Sequence, residues 1–376
     1  MKFDDIFYIN KKIQVKTWEG KKWLQRLTRC YMPVCYIKEL WFLIKERKKE
    51  KIRIFFPKQN KKVSYLIATL GKDFSVYDKY ERSRWSVCWK KGLDKIFFDK
   101  DQEKLEKKVF SISKWLCKMD FKAVILLNDL WPVERLVIEG AKMAGIPSIC
   151  IQHGFVTGEK KYINMGIFSD YFLTWGEYLI NMYEKNNLKE RERMKALGYH
   201  CQMEKIGILH NNTLLFIGQG NIGIQDKEKI YHILDLCQTR GIRVGYKPHP
   251  RAALPELEEL KVKGIEIVDG FSDDTLGVFK QWDIICGWHS SMLVEAYLAD
   301  KPCFQIGQKN DLKINFEKIK ICPKFYSDNH IEMFLNRYLE SQEERWNYFK
   351  DRSDYAYLNE NYASSVRDFL MQVIKL

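Results

Sequence analysis

Short apolar runs in this chain stop abruptly at polar or glycine residues and give way to helical patterns, and the series runs twice. In the first pass, KAVILLND at 122–129 is followed by a helical stretch over 132–144 that ends at Gly145. IPSICIQHG at 146–154 and DYFLTWG at 170–176 continue it. The second pass opens at TLLFIGQG, 213–220, and runs through a helical stretch over 226–240. It continues with IRVGYKPHP at 242–250, DIICGWHSS at 283–291 and PCFQIGQ at 302–308. A strand that is apolar throughout must be covered on both faces, and in a parallel sheet the crossover helices cover it. The pattern therefore predicts an α/β chain with two parallel sheets. GYHCQMEKIGILHNN at 198–212 separates the two passes and reads as the boundary. Two αβ units of similar size then face each other across a cleft. The expected divisions are a basic amphipathic arm at 1–50, a first αβ domain at 51–205, a second at 206–360 and a C-terminal helix at 361–376.

Further strands are expected at IRIFFP (52–57), VSYLIATLG (63–71), KIFFD (95–99) and IEIVD (265–269). Further helices are expected over 102–119, 177–197, 291–300, 327–349 and 363–376. Residues 72–93 carry many charges and aromatics with no clear period.

Charge is spread unevenly. Residues 1–62 hold 18 Lys/Arg against 6 Asp/Glu, whereas the other 314 hold 45 against 43, so +12 of the net +14 lies in the N-terminal arm. Nucleic-acid binding would call for a basic surface around recognition motifs, and none is present, so no nucleic-acid partner is expected. A basic arm suits an anionic membrane face or an anionic acceptor. Within 18–50, Trp23, Leu24, Leu27, Tyr31, Leu40, Trp41, Leu43 and Ile44 lie among cations. That is the composition of an interfacial helix, and equally of surface helices covering a sheet edge. The ten cysteines occur singly, with no CxxC, which predicts a reducing, cytoplasmic setting. No signal segment and no 18-residue apolar run is present, so neither secretion nor a membrane span is expected.

In parallel sheets, ligand-binding residues gather at the carboxyl ends of the strands. Four polar clusters fall there: Asn128-Asp129, Gln152-His153-Gly154, Lys247-Pro248-His249-Pro250-Arg251 and His289-Ser290-Ser291. Pro248 and Pro250 fix the backbone on either side of His249 and hold it on a stiff, extended segment. Lys247 and Arg251 add positive charge. The segment reads either as an anion site or as a plain turn after a strand. Ser290 and Ser291 precede an apolar helical run, where they cap the helix, bind a phosphate, or both. Glu295, one turn along, either accepts from a sugar hydroxyl or faces solvent. Gly218, Gln219 and Gly220 follow the first strand of the second unit and permit close approach of another group. They do not form GxGxxG, and no GxxxxGK[ST] exists, which argues against a dinucleotide site and a P-loop. HExxH, Cys/His arrays and GxSxG are also absent, so neither a metal site nor a serine hydrolase is expected. His153 is a candidate base, and Asp129 either a second base or the partner that orients His153.

Together these residues resemble bacterial surface-polysaccharide glycosyltransferases of the two-lobed GT-B type. KPHPR is similar to the HP motif of bacterial sialyltransferases, polysialyltransferases and capsule Kdo transferases. HSSMLVEAYLADKPCFQIG resembles their serine motif, and IPSICIQHG resembles a histidine–glycine element of capsule and teichoic-acid transferases. The resemblance implies two Rossmann-like domains, with a nucleotide-sugar donor, often CMP-linked, on the C-terminal one. It implies that His249 contacts the donor phosphate beside Ser290 and Ser291, with Lys247, Arg251, Glu295 and Gly218-Gln219-Gly220 in the donor site. The acidic base of the sialyltransferases has no clean copy. Asp129 is the nearest residue to it, while teichoic-acid-type transferases imply His153. The implied reaction is an inverting transfer without metal or cofactor to a glycan or glycolipid acceptor, at the cytoplasmic face of the inner membrane. A polyol-phosphate transferase, a nucleotide-sugar 2-epimerase and a non-catalytic polysaccharide-assembly protein are the alternatives.

Overall fold

The computed structural model describes residues 37, 39–45, 51–57, 63–78, 100–154, 165–186, 188–218, 224–249, 254–270, 274–307, 315–340 and 353–374. Most of the basic arm, KIFFD at 95–99, Gln219, Gly220 and Arg251 lie outside the described residues.

Two six-stranded sheets carry the fold. The first contains β1 (Arg53–Phe55), β2 (Ser75–Tyr77), β3 (Phe121–Leu126), β4 (Ser148–Ile151), β5 (Tyr171–Thr174) and β6 (Met194–Ala196) in the order β2-β1-β3-β4-β5-β6. The second contains β7 (Thr213–Ile217), β8 (Arg243–Lys247), β9 (Glu266–Ile267), β10 (Ile284–Gly287), β11 (Cys303–Ile306) and β12 (Lys324–Phe325) in the order β12-β11-β10-β7-β8-β9. Every pairing is parallel. The α/β fold with two Rossmann-like sheets expected from the repeated pattern is therefore present.

The apolar runs are strands because both of their faces are covered. In β3, Val124 and Leu126 enter a core with α2 (Gln102–Lys118) and α3 (Pro132–Met143), through Leu105, Val109, Leu136 and Val137. The alternate residues Ala123 and Ile125 enter the opposite core, against α1 (Ser64–Leu70) and α10 (Tyr362–Val373). Period-2 alternation thus feeds two apolar layers rather than one layer and solvent. The second sheet repeats this. Leu214, Phe216, Val244 and Ile284 meet α5 (Ile224–Gln238) and α9 (Asp328–Glu340). Leu215, Ile217 and Ile285 meet α7 (Thr275–Phe279) and α8 (Met292–Leu298). Between them in the chain come α4 (Glu177–Glu184) and α6 (Leu254–Val262).

Two expectations need correction, and two edge strands were not expected. VSYLIATLG forms α1, not a strand. Its buried positions, Val63, Leu66 and Leu70, fall three and four residues apart, which is helical spacing, and Tyr65 and Ile67 are only partly covered. The single helix expected over 177–197 divides into α4, a 3₁₀ turn at Leu188–Arg193 and strand β6. The edge strands β2 and β12 carry too few residues to show a period. Val366, Phe369 and Leu370 of the C-terminal helix α10 return to the core of the first lobe.

The chain therefore crosses between lobes twice, at 197–212 and again near 353–361. Tyr199 donates its N–H to Tyr357 O at 2.8 Å, and Tyr357 N–H reaches Trp175 O at 3.2 Å, so the two crossings lie against each other. The fully buried Asp283 fastens the first crossing to the second lobe, accepting from the N–H of Leu209 at 2.6 Å and of Asn211 at 2.7 Å.

Candidate active site

Strand order locates the crevices. In the second sheet the chain runs outward from β7 through β8 to β9, then returns to β10 on the other side of β7. The switch point lies between β7 and β10, where the carboxyl ends of the strands leave a crevice for ligand. Gly218 ends β7, and Trp288-His289-Ser290-Ser291 follows β10. Lys247 is the last residue of β8, the other neighbour of β7, and Pro248-His249 follow it. Three adjacent strands thus bring these residues to one rim. With strands about 4.8 Å apart, the β8 and β10 ends lie about 10 Å from each other, with Gly218 between.

Each residue has a local reason for its place. A Cβ on Gly218 would overlap the Tyr246 phenol, so this glycine is required by a side chain packed from the next strand. Lys247 is buried, and its ammonium donates to Asp269 O at 2.6 Å. Pro248 O packs against Gly270, so close that a Cβ there would lie 2.6 Å away. Residues 269–270 thus brace the stiff segment, and half-buried His249 stands at its end. Ser291 occupies the N-cap position of α8 without a side-chain cap bond. The local bond comes instead from Ser290, whose Oγ accepts from Met292 N–H at 3.2 Å.

Glu295 is not at the rim. It is 1 % exposed, and its Oε1 accepts from the Tyr199 hydroxyl at 2.5 Å, in the crossing between lobes. The solvent-facing reading of Glu295 gives way to a junction contact, because the first turn of α8 is covered by that crossing. Burial, and then the neighbouring Glu295, push the Tyr199 phenol well above its usual range.

In the first sheet the switch point lies between β1 and β3. Asn128 and Asp129 follow β3 and divide two tasks. Asn128 Oδ1 accepts from the N–H groups of Leu130 at 2.8 Å and Trp131 at 2.9 Å, an Asx turn that starts α3. Asp129 is buried, and its Oδ2 accepts from Phe168 N–H at 3.0 Å and Ser169 Oγ at 3.4 Å. Desolvation raises its pKa against these hydrogen bonds and the nearby Arg135. Its carboxylate ties β3 to the segment leading into β5, and its partners at 168–169 take the place of the expected one, His153.

His153 follows β4 and is exposed. A Cβ on Gly154 would meet nothing within 4 Å, so the bend after His153 does not depend on glycine. The His153 ring stands edge-on to His200, with centroids 6.0 Å apart. His200 is fully buried, and its Nδ1 accepts from Trp175 Nε1–H at 3.1 Å. Gln152 binds Trp175 N–H through Oε1 at 2.9 Å and reaches Tyr355 Oη at 3.3 Å. Trp175 packs on Tyr199 at 4.8 Å between centroids. A continuous chain of contacts thus runs from His153 through His200 and Tyr199 to Glu295, one turn beyond Ser291. It brings the carboxyl ends of both sheets to the same junction.

Sequence reasoning gave no role to His200, Trp175 or Tyr355. Their places in GYHCQ, TWG and the C-terminal crossing hold no spacing signal, because they meet only in three dimensions. Among the described residues, no group of three or more His, Cys, Asp or Glu is placed to hold a metal ion.

No protein-family model matches the sequence, and no curated protein matches it. Solved structures do. MnaA of S. aureus in complex with UDP superposes with a TM-score of 0.57 at 12% identity, covering 86% of this chain and 96% of that one. The UDP-GlcNAc 2-epimerase of Neisseria meningitidis bound to UDP-GlcNAc gives 0.56 at 13%, covering 85% and 99%. The wall teichoic acid polymerase TagF, a His-to-Asn variant soaked with CDPG, gives 0.52 at 11%, covering 95% and 99%.

The chain has the GT-B-type fold.

At these identities the likeness concerns the fold. The rims themselves present half-buried His249, the two serines and the Gly218 gap on one side, and the exposed His153 imidazole on the other.

Proposed function

We propose that this chain is a GT-B glycosyltransferase that moves a sugar from a nucleotide-sugar donor, CMP-linked by its motif resemblance, to a growing surface glycan or lipid-linked acceptor. The observation that carries this reading is the meeting of Gly218, His249, Ser290 and Ser291 at the ends of three adjacent strands bordering the switch point. Such a rim suits a leaving group with phosphate charge. The main electrostatic task of the reaction is to stabilise that charge as the glycosidic bond breaks, and preorganised donors do this without reorganisation. His249 and the two hydroxyls are those donors, and Lys247 and Pro248 set the height of the imidazole. On the acceptor side, His153 is better placed than Asp129 to take the hydroxyl proton, because it is exposed while Asp129 is held by residues 168–169. UDP, UDP-GlcNAc and CDPG in the neighbouring structures support a nucleotide-linked donor. Product mass after incubation with nucleotide sugars tests the proposal. Sugar added to an acceptor with free nucleotide released supports it. Isomerised donor in the absence of acceptor supports a 2-epimerase instead, and a transferred polyol phosphate supports the third reading.

The proposed site of action is the cytoplasmic face of an anionic membrane. In the helical segment at 39–45, Phe42 and Leu43 pack against the core of the first lobe. Leu40, Trp41 and Ile44, with Ile37 before them, are 58–65 % exposed. An apolar face among the cations of the arm suits an interfacial helix. Among the described residues no helix is long and apolar enough to cross a membrane.

A further inference from the structure

Gln305 stands out in the second lobe. It is the third residue of the four-residue strand β11, CFQI, and is fully buried among three buried strand neighbours. A buried amide costs stability unless its donors and acceptor are satisfied. Here Oε1 accepts from Phe316 N–H at 3.0 Å, and Nε2 donates to Trp288 O at 2.8 Å. A backbone N–H can only donate and a carbonyl can only accept, so these two groups fix which end of the amide is nitrogen. The second hydrogen on Nε2 is directed at His289 Nδ1, 3.3 Å away. His289 Nδ1 is therefore the acceptor nitrogen, and in the neutral ring the proton resides on Nε2.

We infer that His289 is a second imidazole of the donor crevice, held by Gln305 as an Nε2–H hydrogen-bond donor to a phosphate oxygen of the nucleotide, with Gln305 as its positioning residue. The inference rests on the donor reading above and adds a residue to it. Topology supplies the location. His289 follows β10, which borders the switch point, and Gln305 belongs to β11 on the side of β10 away from β7. The ring edge that meets Gln305 is thus the one toward β11, and the opposite edge carries Nε2. His249 stands two strands across, beyond Gly218. The strand ends that carry the two histidines lie about 10 Å apart, a span that a nucleotide phosphate and its sugar can bridge. The buried amide also has a functional reason: an apolar residue at 305 would pack in the same layer but would leave the tautomer of His289 unset.

The test uses the full chain and two measurements. The first is calorimetric titration of CMP, CDP, UDP and GDP, and of the matching nucleosides, into wild-type, His289→Phe and His289→Gln proteins. His289→Phe should weaken the nucleotide that binds by about 10-fold or more, since a hydrogen bond to a charged group is lost, while leaving the nucleoside unchanged. His289→Gln, whose amide N–H reaches a similar place, should restore most of the affinity. Equal nucleotide affinity in wild-type and His289→Phe would overturn the phosphate contact. The second measurement is nitrogen NMR of ¹⁵N-histidine-labelled protein, with His289 identified by the signal missing from His289→Phe. Wild type should show Nε2 protonated and Nδ1 bare, and Gln305→Glu should place the proton on Nδ1. A wild-type His289 protonated on Nδ1 would overturn the role of Gln305, whether or not Gln305→Glu folds. If none of the four nucleotides binds wild type, the donor reading falls and the phosphate contact falls with it, while the tautomer still decides the His289–Gln305 pair.

Discussion

Replacing Tyr199 by Phe removes one oxygen atom from the junction between lobes, and the structure sets the size of the effect. The hydroxyl donates to the Glu295 carboxyl oxygen Oε1 at 2.5 Å, at the short end of O–H···O bonds. Both residues are buried, so no water can replace the donor. A hydrogen bond to a charged group contributes about 1.5–3 kcal/mol, and loss of one partner also leaves the other desolvated. Tyr199→Phe should therefore destabilise the protein by about 2–3 kcal/mol, with little packing loss because the ring remains. Glu295→Gln keeps an acceptor oxygen at the same place and should cost about 1 kcal/mol. The double variant should cost less than the sum of the two, with a coupling of about 1 kcal/mol or more, because each single change breaks the same contact. Urea unfolding followed by tryptophan fluorescence reads this, since Trp175 lies in the same cluster. A Tyr199→Phe protein within 0.5 kcal/mol of wild type, or strict additivity, would refute the junction contact.

Other perturbations separate the parts of the account. His249→Ala should leave the fold intact and lower turnover of a nucleotide sugar by about 10²-fold, the usual loss for one preorganised charge-stabilising donor; near-normal turnover would remove it from the site. Ser290→Ala with Ser291→Ala should weaken nucleotide binding, and of the two only Ser290→Ala should lower stability, by about 0.5–1 kcal/mol, because it alone makes the local bond to Met292. Lys301 is 4 % exposed, with no hydrogen-bond partner for its ammonium, and desolvation pulls its pKa from 10.5 down to about 8. Between about pH 8 and 10.5 the unfolded chain then binds more protons than the folded one, so this residue's penalty is full below pH 8 and fades as pH rises. Lys301→Met should raise the melting temperature at pH 7, and the gain should shrink by pH 10; a gain independent of pH would exclude the charge as its cause. Replacing Leu40, Trp41 and Ile44 by Ser should reduce co-sedimentation with anionic vesicles at low salt while leaving weak binding to neutral ones unchanged; equal recovery of the wild type with both vesicle types in the supernatant would rule the membrane contact out.

The central strands were legible because their apolar runs are long enough to require cover on both sides. KAVILLND and TLLFIGQG are of this kind, and their polar ends mark the rims. VSYLIATLG misled because a short apolar run suits a buried strand and a half-buried helix alike, and only the spacing of Val63, Leu66 and Leu70 tells them apart. The strand-end places of the proline-flanked His249 and the paired serines could be read from their neighbours. Glu295 could not, since helical phase places it on a face without saying that Tyr199 from another lobe covers that face. Asp129 was expected as a second base or as the partner of His153, and in the fold its carboxylate holds residues 168–169, while Asn128 holds a turn. His289 and Gln305 are 16 residues apart in sequence, and only the adjacency of β10 and β11 makes them a pair.

The most direct measurement of the central claim is a calorimetric titration of wild-type protein with CMP, CDP, UDP and GDP, repeated on a folded His249→Ala variant. At least one nucleotide should bind wild type at a single site, and the variant should bind it measurably more weakly. Absence of binding by all four, or identical affinity in the His249→Ala protein, would contradict a nucleotide-sugar crevice at the β7–β10 switch point.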